Sequence, residues 1–160
     1  MKAPIPFLWF EKEAEEAANF YVSLLPNSRV EHVTVLPADS PSGPAGSVQV
    51  VQFILAGQSW TAMNAAARPD SFNHAVSFTI ECETQGEIDK LWDAILKHGG
   101  KEQACGWIRD RWGLAWQITP RVIFEMYRSP DRAAAKRAAE AMLTMVKLDI
   151  AALQRAFDGG

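Results

Sequence analysis

Ala75-Val76-Ser77-Phe78-Thr79-Ile80-Glu81-Cys82, with Gly86 to His98 close behind it, is the stretch whose reading decides the fold. Apolar and polar residues alternate in the first part, so Val76, Phe78, Ile80 and Cys82 share one face of a strand while Ser77, Thr79 and Glu81 share the other. In the second part Ile88, Leu91, Trp92, Ile95 and Leu96 recur at helical spacing, and Gly99-Gly100 supplies the left-handed residue that closes a helix. Two more β-rich runs follow, Trp107-Ile108-Arg109 and Leu114 to Ile118. They are joined by Asp110-Arg111-Trp112-Gly113, where a leading Asp and a closing Gly predict a type I turn.

The same order stands upstream. Ile5 to Phe10 reads as a strand, and Glu11 to Leu25 as a helix with Ala14, Ala17, Tyr21 and Leu24 on one stripe, acidic residues in its first turn and Pro26 at its end. Arg29 to Leu36 reads as another strand, and Pro37 to Gly46 is too rich in Pro, Gly and Ser for regular structure. Ser47 to Leu55 and Trp60 to Ala65 are β-rich runs joined by Ala56-Gly57-Gln58-Ser59, a hairpin signature, and the order restarts after Arg68-Pro69-Asp70. A period of about 70 residues is too long for a solenoid, so the chain reads as a duplicated module. We place module one at 4–66 and module two at 72–128, together a domain over 1–128.

Residues 129–160 read as a helical tail. Ser129 is the predicted N-cap, with Pro130 at the first helical position, and Asp149 is a second cap that breaks the tail near Lys147. Met142 and Met145 read as gap-filling core or dimer packing rather than an adaptable binding surface.

Composition narrows the function. The 160 residues carry 16 Lys and Arg against 19 Asp and Glu, a net charge of −3 that argues against nucleic-acid binding. Three His and two Cys against six Trp and eight Phe disfavour zinc ribbons and disulfide scaffolds. No run reaches the length of about 18 to 20 apolar residues that a membrane span needs, and the N-terminus lacks a signal-peptide pattern. A cytoplasmic protein with Cys82 and Cys105 as free thiols is the expectation.

The motifs are informative mostly by what they lack. His98 ends a helix, His32 opens a strand and His74 precedes one, so none has the spacing of a metal cluster. The junction of the first strand and helix is Phe10-Glu11-Lys12-Glu13, not the glycine-rich turn of a nucleotide or S-adenosylmethionine site. No Walker lysine and no G-x-S-x-G elbow is present, and Cys105 has no assignable base. Strand parity points instead to a polar sheet face. Ala115, Gln117 and Thr119 oppose Leu114, Trp116 and Ile118, and Trp60, Ala62 and Asn64 share a face. Asn64, Ser77 and Gln117 would hydrogen-bond a ligand there, and Trp60 and Trp107 would form aromatic walls; an exposed or dimer-covered sheet face is the alternative.

Several runs together resemble a known family. Phe7-Leu8-Trp9-Phe10, Ala14 to Tyr21, Pro26-Asn27-Ser28, Phe72-Asn73, Ala75 to Phe78, Cys105-Gly106-Trp107, Asp110-Arg111, Gly113-Leu114, Trp116-Gln117, Pro120 and Lys147 to Ile150 are similar to PhnB-like proteins. That group is often labelled a 3-demethylubiquinone-9 3-methyltransferase domain and belongs to the vicinal oxygen chelate superfamily, with glyoxalase I, bleomycin-resistance proteins and dioxygenases. The resemblance implies an α+β fold in which two βαβββ modules form a cupped mixed sheet around a pocket, with C-terminal helices, commonly as a homodimer. It also implies where metal-dependent relatives hold their ions: near Pro6 to Leu8, at Asn64, at Ser77 and at Gln117. None of these is His or Glu, so no metal and no cofactor is expected, and the methyltransferase label draws no support from the residues.

The leading expectation is therefore a metal-free protein that binds a small organic ligand between its modules through Trp60, Asn64, Ser77, Trp107 and Gln117. The alternatives are a metal-dependent glyoxalase- or dioxygenase-type enzyme using His74 or His32, and a dimeric scaffold whose cup is closed by its own side chains.

Overall fold

The computed structural model describes residues 3–64 and 72–160. The end of module one at 66, the terminal Ala65 of its last strand, and Arg68-Pro69-Asp70 lie outside the described residues. The chain divides into two units, Met1–Asp70 and Ser71–Gly160. The fold is α+β, with two four-stranded mixed sheets and five helices among the described residues.

In the first unit the elements are β1 (Phe7–Phe10), α1 (Ala14–Leu24), β2 (Arg29–Val35), β3 (Gln49–Leu55) and β4 (Gln58–Asn64), and the sheet order is β1-β4-β3-β2. β1 runs parallel to β4, and the other neighbours are antiparallel. The parallel pair follows from the helical crossover between β1 and the hairpins. α1 buries Ala14, Ala17, Ala18, Tyr21 and Leu24. Its three alanines let the helix approach the sheet closely. Tyr21, Phe53 and Trp60 then stack in sequence, with ring centroids 6.5 Å and 6.1 Å apart. Each such side chain removed from water stabilises the unit by about 2 kcal/mol.

The β3–β4 turn is tighter than its sequence suggests, because Leu55 already pairs with Gln58. Ala56 at φ 49° and Gly57 at φ 83° make the two-residue loop that matches strand twist, and Gln58 and Ser59 belong to the strand. β2 is an edge strand carrying exposed Val33 and Val35, with a register shift between Val30 and His32.

The second unit repeats the plan with β5 (Ser77–Cys82), α2 (Gln85–Lys97), β6 (Lys101–Glu102), β7 (Trp107–Arg109) and β8 (Ala115–Pro120) in the order β5-β8-β7-β6. β6 is only two residues long and carries no periodic signal, which is why the sequence hides it. α2 starts one residue ahead of Gly86, because Thr84 and Glu87 form a reciprocal capping box. Gly99, at φ 90°, follows its C-cap His98 as anticipated.

The tail contains α3 (Val122–Arg128), α4 (Arg132–Leu143) and α5 (Ile150–Asp158). Two expectations need correction here. Helix resumes directly after β8 at Val122, and Ser129 ends α3 instead of starting α4. Asp131 is the N-cap, its carboxylate accepting from Ala133 N at 3.1 Å and Ala134 N at 3.0 Å. An ionised carboxylate outcompetes a hydroxyl for that place, and Pro130 then precedes the cap. Asp149 does cap α5, accepting from Ala152 N at 2.7 Å. Ile123, Met126, Ala138 and Leu153 form the tail's core, and Met142 and Met145 pack against it as gap fillers.

Candidate functional site

Strand pairing sorts the second sheet into two faces. Phe78, Ile80, Cys82, Ile108, Trp116 and Ile118 share the face covered by α2, and Phe78 and Trp116 stack at 5.8 Å. The face turned away from α2 carries Ser77, Thr79, Trp107, Arg109, Ala115 and Gln117, since Ser77 pairs with Ala115, Thr79 and Trp107 with Gln117, and Arg109 with Ala115. Three of the five anticipated ligand residues therefore gather on one face. Gln117 Nε2 donates to Ser77 Oγ at 2.8 Å across the parallel pair. Both side chains keep capacity beyond that bond: the Gln117 carbonyl and the Ser77 hydroxyl proton.

His74 leans on the same patch. Its ring stands edge-on to Trp107 with centroids 5.6 Å apart. Its Nε2 lies 2.6 Å from Gln103 Oε1, which assigns the ring proton to Nε2, and Nδ1 accepts from Arg109 Nη2 at 2.8 Å. Arg109 Nε also approaches the ring at 3.3 Å. With Nε2 donating and Nδ1 accepting from a cation, the ring's one available lone pair is not directed at a metal.

Arg109 is the residue that sequence reasoning overlooked. The signal was present, because a cation two residues after Trp107 on a strand must share its face.

The turn beside this patch is held by a buried carboxylate. Asp110 is 4% exposed; its Oδ1 accepts from Trp112 N at 2.9 Å and Leu114 N at 3.0 Å, and its Oδ2 from Trp116 Nε1 at 3.0 Å. Gly113 N closes the anticipated turn onto Asp110 O at 3.0 Å, with Gly113 at φ 90°. Asp110 thus fixes the register that sets Trp107 and Arg109 opposite Gln117 and Ala115.

The other two anticipated residues have a different occupation. Trp60 and Asn64 lie on the face of the first sheet that α1 covers, with Trp60 only 5% exposed. Asn64 Oδ1 accepts from Ala14 N at 2.7 Å, so it caps α1, whose own N-cap Glu13 makes no side-chain capping bond. Asn64 Nδ2 donates to Gln49 Oε1 at 2.9 Å, and Gln49 Nε2 to Glu15 Oε2 at 2.9 Å. The shared parity of Trp60, Ala62 and Asn64 was read correctly; that this parity is the helix side was not visible without the packing.

Both thiols are free, and burial pushes the Cys82 thiol up to about 11, with the Glu87 carboxylate adding to the effect, so Cys82 is not a poised nucleophile. Cys105 sits at φ 62°, its N–H donating to Met145 O at 2.8 Å, while Gly106 N donates to Val146 O at 2.8 Å. The tail therefore clasps the backbone just before Trp107.

The donor set does not suit a metal. Among the described residues no group of three His, Cys, Asp or Glu is placed to hold an ion, and Asn64, Ser77 and Gln117 are neutral and engaged as above. The β1–α1 junction likewise has no glycine, and the N–H of Ala14 there is taken by Asn64, so the residues do not fit a nucleotide-like cofactor.

The chain matches, over residues 2–119, the family described as 3-demethylubiquinone-9 3-methyltransferase. Among solved structures, a PhnB protein from Bacillus cereus is 29% identical, with a TM-score of 0.65 over 74% of this chain and 99% of that one. A Pseudomonas aeruginosa protein is 20% identical with a TM-score of 0.56, covering 75% and 98%. The fosfomycin resistance protein FosX of Listeria monocytogenes is 11% identical with a TM-score of 0.56, covering 80% and 98%. The last two share the fold alone. No curated protein matches the chain. No helix among the described residues is long and apolar enough to cross a membrane. By a sequence match that spans most of its length, and with two sheets each built from a βαβββ order, the chain belongs to the PhnB-like 3-demethylubiquinone-9 3-methyltransferase family.

Proposed function

We propose that the protein binds a small organic ligand on the face of its second sheet turned away from α2, without a metal, and that Ser77, Gln117 and Trp107 supply the contacts. The observation that carries this reading is the Gln117–Ser77 hydrogen bond at 2.8 Å beside the half-buried Trp107. Polar side chains preorganised on a sheet face next to an aromatic ring are what a small-molecule site requires. Trp60 and Asn64 are left out, because their side chains serve α1 and its core.

The metal-dependent alternative through His74 is less well supported, since both ring nitrogens already have partners. A methyl transfer, which the family description names, would need a cofactor site that the β1–α1 junction does not offer. A homodimer, on family resemblance, and a cytoplasmic location remain part of the proposal.

Thermal denaturation against a broad metabolite set tests the reading. A ligand present at 100 times its Kd adds about 2.7 kcal/mol to the folded state, a shift of several degrees. Gln117→Leu with Ser77→Ala should abolish the shift while leaving the unliganded midpoint close to the parent's. No stabilising compound, or an undiminished shift in the double variant, would overturn it.

A further inference from the structure

Resting on the reading above, we infer that the ligand carries a carboxylate, captured by Arg109, with its planar apolar part beside Trp107. The reason is charge. Lys101 and Arg109 stand directly opposite one another in the β6–β7 register, on the face that also bears Trp107 and Gln117. Like charges in opposed positions destabilise a sheet. Among the described residues neither cation forms an ion pair, whereas Arg29, Arg121, Lys136 and Lys147 all do. What Arg109 has instead is the ring of His74, whose Nδ1 accepts from Arg109 Nη2 and supplies no carboxylate to offset its charge. An uncompensated cation pair in a chain of net charge −3 is a local exception to the global balance.

The neighbouring groups suit a carboxylate on a flat body. Arginine's planar fork offers two parallel N–H groups, which carboxylate oxygens accept together. Trp107 follows two residues earlier on the same strand and face. Between Arg109 and Ser77 the intervening strand places Ala115, a single methyl, in the row Ser77, Ala115, Arg109, Lys101. Two strand spacings, about 10 Å, separate the hydroxyl-bearing position from the guanidinium-bearing one. That is the span of one substituted aromatic acid. His74 would release Arg109 as the carboxylate arrives, exchanging a ring-nitrogen acceptor for a carboxylate.

Benzoate and benzamide, which share shape and differ in charge, are the probes. The full chain, labelled with 15N, is titrated with each, and the Trp107 indole N–H and Arg109 Nε–H resonances are followed by NMR. Benzoate should shift both and bind at least 10-fold more tightly than benzamide, with affinity falling as salt is added. Arg109→Met should remove benzoate's advantage, and Lys101→Met should weaken benzoate several-fold without touching benzamide. Should Arg109→Met lose its dispersed spectrum, the probe ratio and Lys101→Met decide alone. Equal binding of the two probes at these resonances would overturn the carboxylate while leaving the ligand face intact. Shifts confined to other residues, or none with either probe, would overturn both.

Discussion

Asp110→Ala should cost the second unit about 3 kcal/mol and, with it, the alignment of the ligand face. The carboxylate serves three donors: Trp112 N, Leu114 N and Trp116 Nε1, at 2.9 to 3.0 Å. Leu114 and Trp116 are each 2% exposed, so their N–H groups have no water to fall back on, and an orphaned buried donor costs about 1–3 kcal/mol. Trp112 N is partly solvated and contributes less. Against a gross loss of about 4 to 5 kcal/mol stands relief from holding a carboxylate out of water, which brings the net to about 3. Urea unfolding of the full chain, followed by circular dichroism and tryptophan fluorescence, should show a midpoint lower by about 1.5 M at a slope of about 2 kcal/mol/M. Asp110→Asn is the diagnostic companion. It can keep an oxygen at the Oδ1 position for both backbone amides while giving up the indole bond at Oδ2, so its loss should be less than half as large. If Asp110→Ala unfolds within about 0.5 kcal/mol of the parent, or Asp110→Asn is as damaging as Asp110→Ala, the carboxylate does not hold this turn as described.

Asn64→Ala should destabilise the first unit by about 1 kcal/mol, the worth of a helix cap, and lower its melting point by about 4–8 °C, while benzoate binding stays unchanged; a loss of binding would return Asn64 to the ligand site. Gly106→Ala places a Cβ 2.9 Å from Leu148 Cδ1 and 3.0 Å from Ile118 O at a φ of 79°. Strain of about 1–2 kcal/mol and the displaced backbone together should cost about 2–4 kcal/mol by urea unfolding and expose the tail near Lys147 to protease; a variant as stable and as protease-resistant as the parent would contradict the clasp. Cys82 gives a pH dependence. Its folded thiol titrates near 11 because of burial, then Glu87, against 9.0 when free. The unfolded state therefore loses its proton first, and this part of the stability is fully present below pH 9 and is lost as pH rises to about 11. Cys82→Ala should flatten the stability–pH curve in that window relative to the parent, and superimposable curves would refute the assignment.

The sequence showed most of the fold and only part of the site, and the division has a physical basis. Alternation in Ser77 to Cys82 and the stripe Ile88, Leu91, Trp92, Ile95 are one-dimensional consequences of burial, so they survive in the sequence. β6 does not, because two residues make no period, and its pairing with β7 is enforced by α2 and the Gly99-Gly100 turn before it. Within the proposed site, Ser77 and Gln117 follow from strand parity, and Trp107 from its aromatic character. Parity divides a strand's residues into two sets but does not say which set a helix will cover. Polar Asn64 invited placement on a solvent-facing wall, yet the free N–H at the start of α1 needed an acceptor, and Glu13 does not provide one. That demand is met from 50 residues away and leaves no local motif. Arg109 was missed for the opposite reason: a cation on a short strand looks like ordinary solvent-facing charge until Lys101 is found opposite it.

The two units solve one problem in different ways, and that difference explains why their sheets differ chemically. In each, a parallel edge strand ends opposite the last residue of its neighbour: Phe10 pairs with Asn64, and Cys82 with Pro120. The helix that follows each edge strand must have its first N–H groups satisfied. In the first unit the sheet does this, since Asn64 reaches Ala14 N, and a polar residue is thereby held on the helix-covered face. Proline at the corresponding place in the second unit is a poor stand-in for an amide side chain, and the cap has moved into the connecting loop, where Thr84 accepts from Glu87 N at 3.3 Å and Glu87 accepts from Thr84 N at 3.0 Å. Relieved of capping, the helix-covered positions of β8 are filled by Trp116 and Ile118, both nearly inaccessible, and no polar strand residue is needed there. The polar side chains Ser77 and Gln117 are then committed to the opposite face and to each other. The ligand face proposed for the second sheet is thus compatible with a dry interior because its helix is capped locally, a condition the first sheet does not meet.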